Sequence, residues 1–278
     1  MRPGPSTALR SLGGIVGAAL LGLLAGALLM VAAGYPAGLA YRALWDGAFG
    51  DTYALADTLA AATPLILTAL PFAVGVRAGL FNIGAQGQMT LGALAAAAAG
   101  RWAPAAPWPL PLFWGLLAAA VAGALWSLPA ALLKVARGVH EVISTIMLNW
   151  VAFYLALYLI GSLLVDPTRA ERTAPVPVAS RFAPLVPGAD LTGALFLAAA
   201  VALACYWFLW RLPLGYEIRV AGENPEALTY AGGHPGRIVV TALLAGGVAA
   251  GLAGATRVLG QPPAYALYGD LSNLGQLG

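Results

Sequence analysis

Apolar runs of about 20 residues follow one another along nearly the whole chain, separated by short polar stretches. The runs are rich in Ala, Leu and Gly and lack the strict alternation of a barrel strand, which predicts helices at the length a bilayer demands. Lipid forces each spanning segment to satisfy its own backbone hydrogen bonds, and a helix does so internally. The pattern predicts seven spans, at residues 11–34, 56–77, 86–100, 112–136, 141–164, 191–210 and 237–256. The third is short, at about 15 residues against a usual 20 or so. The first begins after Arg2 and Arg10 and is too long for the 7–15-residue core of a signal peptide, so it reads as a spanning helix. The fold class is therefore all-α: a polytopic transmembrane helical bundle, with residues 1–278 forming a single membrane domain.

The connections carry the punctuation. Residues 101–111 hold four prolines and two tryptophans, which suits an interfacial loop with aromatic anchors. Longer polar connections cover 166–190 and 211–236. With the N-terminus on the cytoplasmic side, eight Lys and Arg fall on that side and six on the other, a small positive-inside bias. It places 211–236 in the cytoplasm and 166–190 outside.

Composition strengthens this picture. The chain is 60% hydrophobic and 9% charged, with a mean hydropathy of +0.82. A soluble domain carries about 25% charged residues, and a soluble fold of this length has no way to hide so much apolar surface. The net charge of +3 is small and the basic residues are scattered, so nothing supports a nucleic-acid partner. The single cysteine, Cys205, excludes an intrachain disulfide.

Three segments stand out against the apolar background. Residues 77–92 (RAGLFNIGAQGQMTLG) place Asn82, Gln86, Gln88 and several glycines where the chain should be entering lipid. Unpaired amides cost several kcal/mol in hydrocarbon, so these must face protein or water. Such a stretch is either a capped, Gly-rich turn or a broken helix lining a translocation path. Residues 140–154 (HEVISTIMLNWVAFY) put Thr145 and Asn149 on one helical face. That stripe serves helix–helix association or lines a path for a polar solute. His140–Glu141 does not extend to HExxH, because position 144 is Ser. Glu141 instead opens a helix, where a carboxylate favours the N-terminal dipole. Residues 213–236 (PLGYEIRVAGENPEALTYAGGHPG) combine mixed charge with helix signals: Asn224 as a cap, Pro225 at the first position, then Glu226, with Gly232–Gly233 as the stop. This is an ordinary charged loop or a short surface helix that docks a partner.

No phosphate-binding loop, nucleophile elbow or metal-spaced His/Cys/Asp cluster is present, so the chain reads as a non-enzyme without cofactor or metal. Ionisable residues are absent from the cores of the predicted spans, which disfavours an ion-coupled secondary carrier.

The three segments together resemble the permease subunits of bacterial ABC importers for simple sugars and nucleosides, a superfamily that includes ribose-type and branched-chain amino-acid permeases. GLFNIGAQGQMTLGA is similar to the family's FNIG-x-x-GQ-x-x-x-GA segment, HEVISTIMLNW resembles the nucleoside branch, and LGYEIRVAGENPEALTYAG resembles the cytoplasmic ATPase-contacting loop. They occur in the family's order and span residues 77–236. Gln86 stands where Glu is usual in the family.

The resemblance implies a permease domain in the bacterial cytoplasmic membrane, working as a homodimer or heterodimer with cytosolic ABC ATPase subunits and an extracytoplasmic substrate-binding lipoprotein. Asn82, Gln86, Gln88 and Asn149 fall where the family lines or shapes the path, with Thr145 beside Asn149. Gly215, Arg219, Gly222, Asn224, Pro225 and Glu226 fall in the ATPase-coupling segment. An uncharged, weakly polar path implies a neutral cargo, a nucleoside or alternatively a ribose-like sugar. The Gly-rich polar tail after Arg257, where family members continue for several helices, predicts a chain truncated at its C-terminus.

Overall fold

The computed structural model describes residues 5–102, 106–262, 265–271 and 274, with side chains from residue 13 onward except Arg101 and Trp102. Residues 103–105 of the expected interfacial loop, that loop's Arg101 and Trp102 side chains, Arg2, the Arg10 side chain and part of the tail lie outside this description.

The chain divides into two compact units, residues 1–55 and 56–278. In the first, α1 (Pro5–Ala32) is followed by α2 (Ala37–Phe49). The Tyr41 hydroxyl donates to the Leu23 carbonyl at 2.6 Å, which ties the two helices together. The sequence pattern treats 35–55 as a connection, yet α2 is helical because Ala, Leu and aromatic positions recur at helical spacing after Pro36.

The second unit contains α3 (Thr52–Arg77) from its second turn, α4 (Ala85–Trp102), α5 (Leu110–Arg137), α6 (Glu141–Ser162), α7 (Ala194–Arg211), α8 (Pro213–Glu223), α9 (Pro225–Tyr230) and α10 (Pro235–Leu259). Among the described residues, six helices are long and apolar enough to cross a membrane: α1, α3, α5, α6, α7 and α10. The remaining expected span, 86–100, is α4. Its first turns carry Gln86, Gln88 and Thr90, and Met89, Ala93, Leu94, Ala96 and Ala97 are all buried. A helix surrounded by protein needs less hydropathy than one solvated by lipid. The large apolar residues that stay exposed, among them Leu125, Trp150, Tyr158, Phe196 and Leu203, are the expected lipid-facing set.

The centre of this unit is a close crossing of α4, α5 and α10. Gly92, Gly123, Gly247, Gly251 and Gly254 let the three backbones touch, and a Cβ at any of them would overlap a neighbouring main chain. Small residues at helix crossings are the usual solution in lipid, where association depends on dispersion contacts between close backbones.

One end of the unit carries Arg77, Lys134, Arg137, Arg211, Arg219 and Arg237 and is called the basic end below. The opposite end carries the 163–193 connection. That connection is not wholly irregular: β1 (Val165–Asp166) and β2 (Arg169–Thr173) pair antiparallel, Val165 with Thr173 and Asp166 with Arg169. Asp166 fixes the turn by accepting from the Thr168 N–H and hydroxyl and from Arg172 Nε. These bonds, the Thr168 backbone first, hold its carboxyl below the usual aspartate range.

Candidate functional site

α3 and α4 are joined by non-helical backbone whose residues alternate between buried (Leu80, Asn82, Gly84) and exposed (Phe81, Ile83). α3 stops at Arg77, Gly79 turns the chain with φ +70°, and Leu80–Ile83 run extended before α4 begins. Two side chains of α6 hold this segment. Glu141 Oε1 accepts from the Phe81 N–H at 3.2 Å, while its Oε2 accepts from Lys134 at 2.6 Å. Asn149 accepts from the Gly87 N–H at 2.8 Å and donates to the Ile83 carbonyl at 3.0 Å. Eight residues of α6 separate the two anchors, about 12 Å along the helix axis. The non-helical strand thus climbs from the basic end into the bundle, with its polar groups met by α6 instead of lipid.

This junction shapes a cavity of about 510 Å³, within the range of small-molecule sites. α3 contributes Pro64, Leu65 and Thr68; α4 contributes Gln86, Met89 and Thr90; α6 contributes Asn149 and Phe153. Pro64 has no N–H to donate to the Ala60 carbonyl, so α3 is interrupted in its ladder where it borders this space. Arg257 of α10 and Leu271 and Leu274 close the far side.

The five expected path residues divide. Gln86 and Asn149 line the cavity. Asn82, Gln88 and Thr145 do not; all three are buried around Gly84, where an added Cβ would lie 3.0–3.2 Å from each of them. Asn82 Oδ1 accepts from the Gly84 N–H at 2.9 Å, and the Thr145 hydroxyl donates to the Glu141 carbonyl at 2.7 Å. Asn82 Nδ2 and Gln88 Oε1 have no protein partner. Asn149 combines both sequence alternatives: it fastens α6 to the α3–α4 junction and also borders the cavity.

Sequence reasoning missed Arg257. The pattern puts it just beyond the last span, but it lies in the final turn of α10 and reaches the cavity wall. An arginine set among apolar residues, ATRVLG, was the available signal. Arg257 thus places a charged side chain on the wall of this cavity. On its other side Arg257 borders a smaller cavity of about 100 Å³ with Asp57, Asp190 and Gln261. The Asp190 N–H donates to Asp57 Oδ1 at 3.0 Å. Burial and then the nearby Asp57 carboxylate push the Asp190 carboxyl up, and Arg257 works against both.

At the basic end, α8 and α9 divide the expected coupling residues by direction. Gly215 lies against the backbone of Phe208 and Leu209, and Gly222 against that of Arg77 and Gly79. The Arg219 guanidinium stacks on Trp210 at 4.4 Å, and Arg77 approaches the same ring at 5.5 Å. These three residues therefore face the bundle. Asn224 caps α9 as its sequence predicts, accepting from the Glu226 and Ala227 N–H groups at 3.0 Å each. Asn224, Pro225 and Glu226 are exposed, and Tyr230, one turn on from Glu226, is 95% exposed. A large cleft beside them runs along Thr229–Arg237 and Val135.

Comparison with known proteins agrees with this arrangement. Residues 54–266 match the family described as branched-chain amino acid transport system / permease component. The chain is 37% identical over 263 residues to the guanosine ABC transporter permease protein NupP of Bacillus subtilis, covering 93% of this chain and 75% of that one. It is 32% identical over 247 residues to the nucleoside ABC transporter permease protein NupB of Lactococcus lactis, covering 85% and 68%. It is 34% identical over 238 residues to the glucose ABC transporter permease protein TsgB13 of Haloferax volcanii, covering 80% and 61%. No solved structure matches it significantly. A multi-pass helical bundle, a broken segment bordering an internal cavity and a match across three quarters of the chain converge: the protein belongs to the branched-chain amino acid transport system / permease component family, as a membrane permease subunit of an ABC transporter whose ATP hydrolysis resides on a separate ATPase.

Proposed function

We propose that this permease imports a nucleoside across the bacterial cytoplasmic membrane. The observation that carries the reading is the cavity at the α3–α4 junction. It offers an aromatic ring at Phe153, a thioether at Met89 and amide or hydroxyl groups at Gln86, Asn149, Thr68 and Thr90. A nucleoside has a flat apolar ring and a hydroxylated sugar, and needs both kinds of wall. Similarity to permeases named for guanosine and nucleosides supports the same cargo.

In this reading two permease subunits, identical or different, enclose the path. The N-terminus and the basic end face the cytoplasm, where the exposed face of Pro225, Glu226 and Tyr230 docks an ABC ATPase. The 163–193 connection faces outward, towards a substrate-binding lipoprotein. Nucleotide-driven closure of the ATPases moves α8 and α9. Gly222 and the Arg77–Trp210–Arg219 stack pass that movement to the turn at Gly79, and so to the strand bordering the cavity. Binding energy sits in the delivery protein and driving force in ATP, so the cavity itself holds its cargo weakly.

Uptake of labelled nucleosides and labelled ribose or glucose by cells expressing the whole transporter tests the cargo. The expected result is nucleoside uptake that requires a hydrolytically competent ATPase. Sugar uptake that no nucleoside competes would replace this reading with the sugar alternative, which the likeness to a glucose permease favours.

A further inference from the structure

We propose that Arg257 is the specificity-determining residue of the cavity, its guanidinium reading the acceptor edge of a 6-oxopurine nucleoside such as guanosine or inosine. The inference rests on the nucleoside reading above and deepens it.

Arg257 Nε is buried without a hydrogen-bond partner, and among the described residues Arg257 forms no ion pair. A guanidinium brought out of water is costly unless its N–H groups are taken up. It borders both the large cavity and the small one that holds Asp57 and Asp190, so it stands at the partition between them. The Asp190 carboxyl group attracts it from one side at longer range. The other side opens onto the space proposed for cargo.

The chemistry of the missing partner follows from the donor set. Arginine presents five N–H donors in a planar fork and no acceptor, so it matches an edge with two adjacent acceptors. An anionic edge is disfavoured here by the Asp57 and Asp190 carboxyl groups across the partition. Among neutral nucleobases, guanine and hypoxanthine place O6 beside N7, both acceptors, and arginine pairs with that edge bidentately. Adenine has an amino donor where the oxo group would be, so donor meets donor. Uracil offers a lone oxo acceptor on that face and takes one bond. Phe153 and Met89 supply apolar and polarisable surfaces for the ring, and Gln86 carries both donor and acceptor for what remains.

The test compares uptake of labelled guanosine, inosine, adenosine and uridine by the complete transporter carrying wild-type permease, Arg257→Lys or Arg257→Gln. The same substrate-binding protein serves all three, so its own preference cancels in the ratios. A bidentate contact predicts a fall in guanosine and inosine uptake of about 5- to 150-fold, the equivalent of about 1–3 kcal/mol. The guanosine-to-adenosine and guanosine-to-uridine uptake ratios fall by the same factor. Arg257→Lys keeps the charge beside Asp190 but lacks the fork, so it shows the same selective loss with the charge balance intact. Wild-type transporter also prefers guanosine to 7-deazaguanosine, which lacks N7, and the variants lose that preference. An equal fall for all four nucleosides at unchanged membrane abundance assigns Arg257 a structural role and overturns the inference. So does an unchanged guanosine-to-adenosine ratio. Wild-type transporter that imports no nucleoside removes the parent reading, and this one with it.

Discussion

Gly247 offers the sharpest test of how the bundle is held. It sits in α10 where that helix crosses α5, and a Cβ built there lies 2.5 Å from the Gly123 carbonyl oxygen and 2.9 Å from Ala124 Cα. Ordinary contact begins near 3.4 Å, so Gly247→Ala falls about 0.9 Å short against main chain that has no rotamer to change. α10 must move off α5 by nearly 1 Å, and a gap of that size forfeits about a quarter to a half of each dispersion well along the crossing. Overpacking of this kind costs about 1–3 kcal/mol, and an obstacle made of backbone belongs in the upper half of that range. The usual gain of about 1 kcal/mol for replacing glycine by alanine in a helix offsets little here. In lipid the helix persists when tertiary packing is lost, so its propensity contributes to both states. Gly161 of α6 is the control: a Cβ there meets nothing within 4 Å. Thermal unfolding of purified protein in one detergent, followed by loss of the monodisperse fraction, should show Gly247→Ala clearly destabilised and Gly161→Ala within about 0.5 kcal/mol of wild type. A Gly247→Ala protein as stable as wild type, or a Gly161→Ala protein equally weakened, would refute close backbone packing as the source of bundle stability.

Other consequences follow from the site. Asn149→Leu removes both bonds to the α3–α4 junction and strands the buried Gly87 N–H, at about 1–3 kcal/mol, while the Ile83 carbonyl lies at an exposed position; uptake and melting should both fall, and melting unchanged from wild type would show that Asn149 does not fasten the junction. Gly222→Ala presses on the Arg77 and Gly79 backbone but leaves the exposed face of α9 intact, so ATPase should still co-purify while uptake drops about tenfold or more, the equivalent of 1.4 kcal/mol. Glu226→Lys alters the exposed face instead and should lose the ATPase while the permease stays folded; normal co-purification would remove the docking role of that face. Asp190 has a raised carboxyl pKa, so the folded state holds its proton more tightly than the unfolded chain does. Its stability contribution is therefore greatest in acid and declines as pH rises through the raised value. Asp190→Asn keeps the N–H bond to Asp57 and should flatten that slope, which melting between about pH 4 and 7 checks against the ordinary aspartate value of about 3.9.

Helix identity was readable from the chain because lipid permits so few alternatives. Runs of about 20 apolar residues must be helices, and their ends followed Arg77, Lys134–Arg137 and Arg211 to within a few residues. The α9 cap was equally local: Asn224 and Pro225 determine it within four residues of sequence. The likeness of three short segments to a transporter family was also a property of sequence alone. What needed the tertiary structure was direction. The amides of Asn82, Gln86 and Gln88 share one stretch of seven residues, yet Gln86 faces the cavity and the other two are packed around Gly84. Gly215 and Gly222 face inward while Pro225 and Glu226 face out, a division that charge and periodicity do not encode in so short a segment. Arg257 gains its meaning from Asp57, Asp190 and the cavity wall, which come from α3 and a distant connection. Hydropathy sets which segments lie in the membrane, because transfer free energy sums over a segment. Which side chain meets solute, lipid or another helix depends on rotation and crossing angle, and those are set by backbone contacts between residues far apart in the chain.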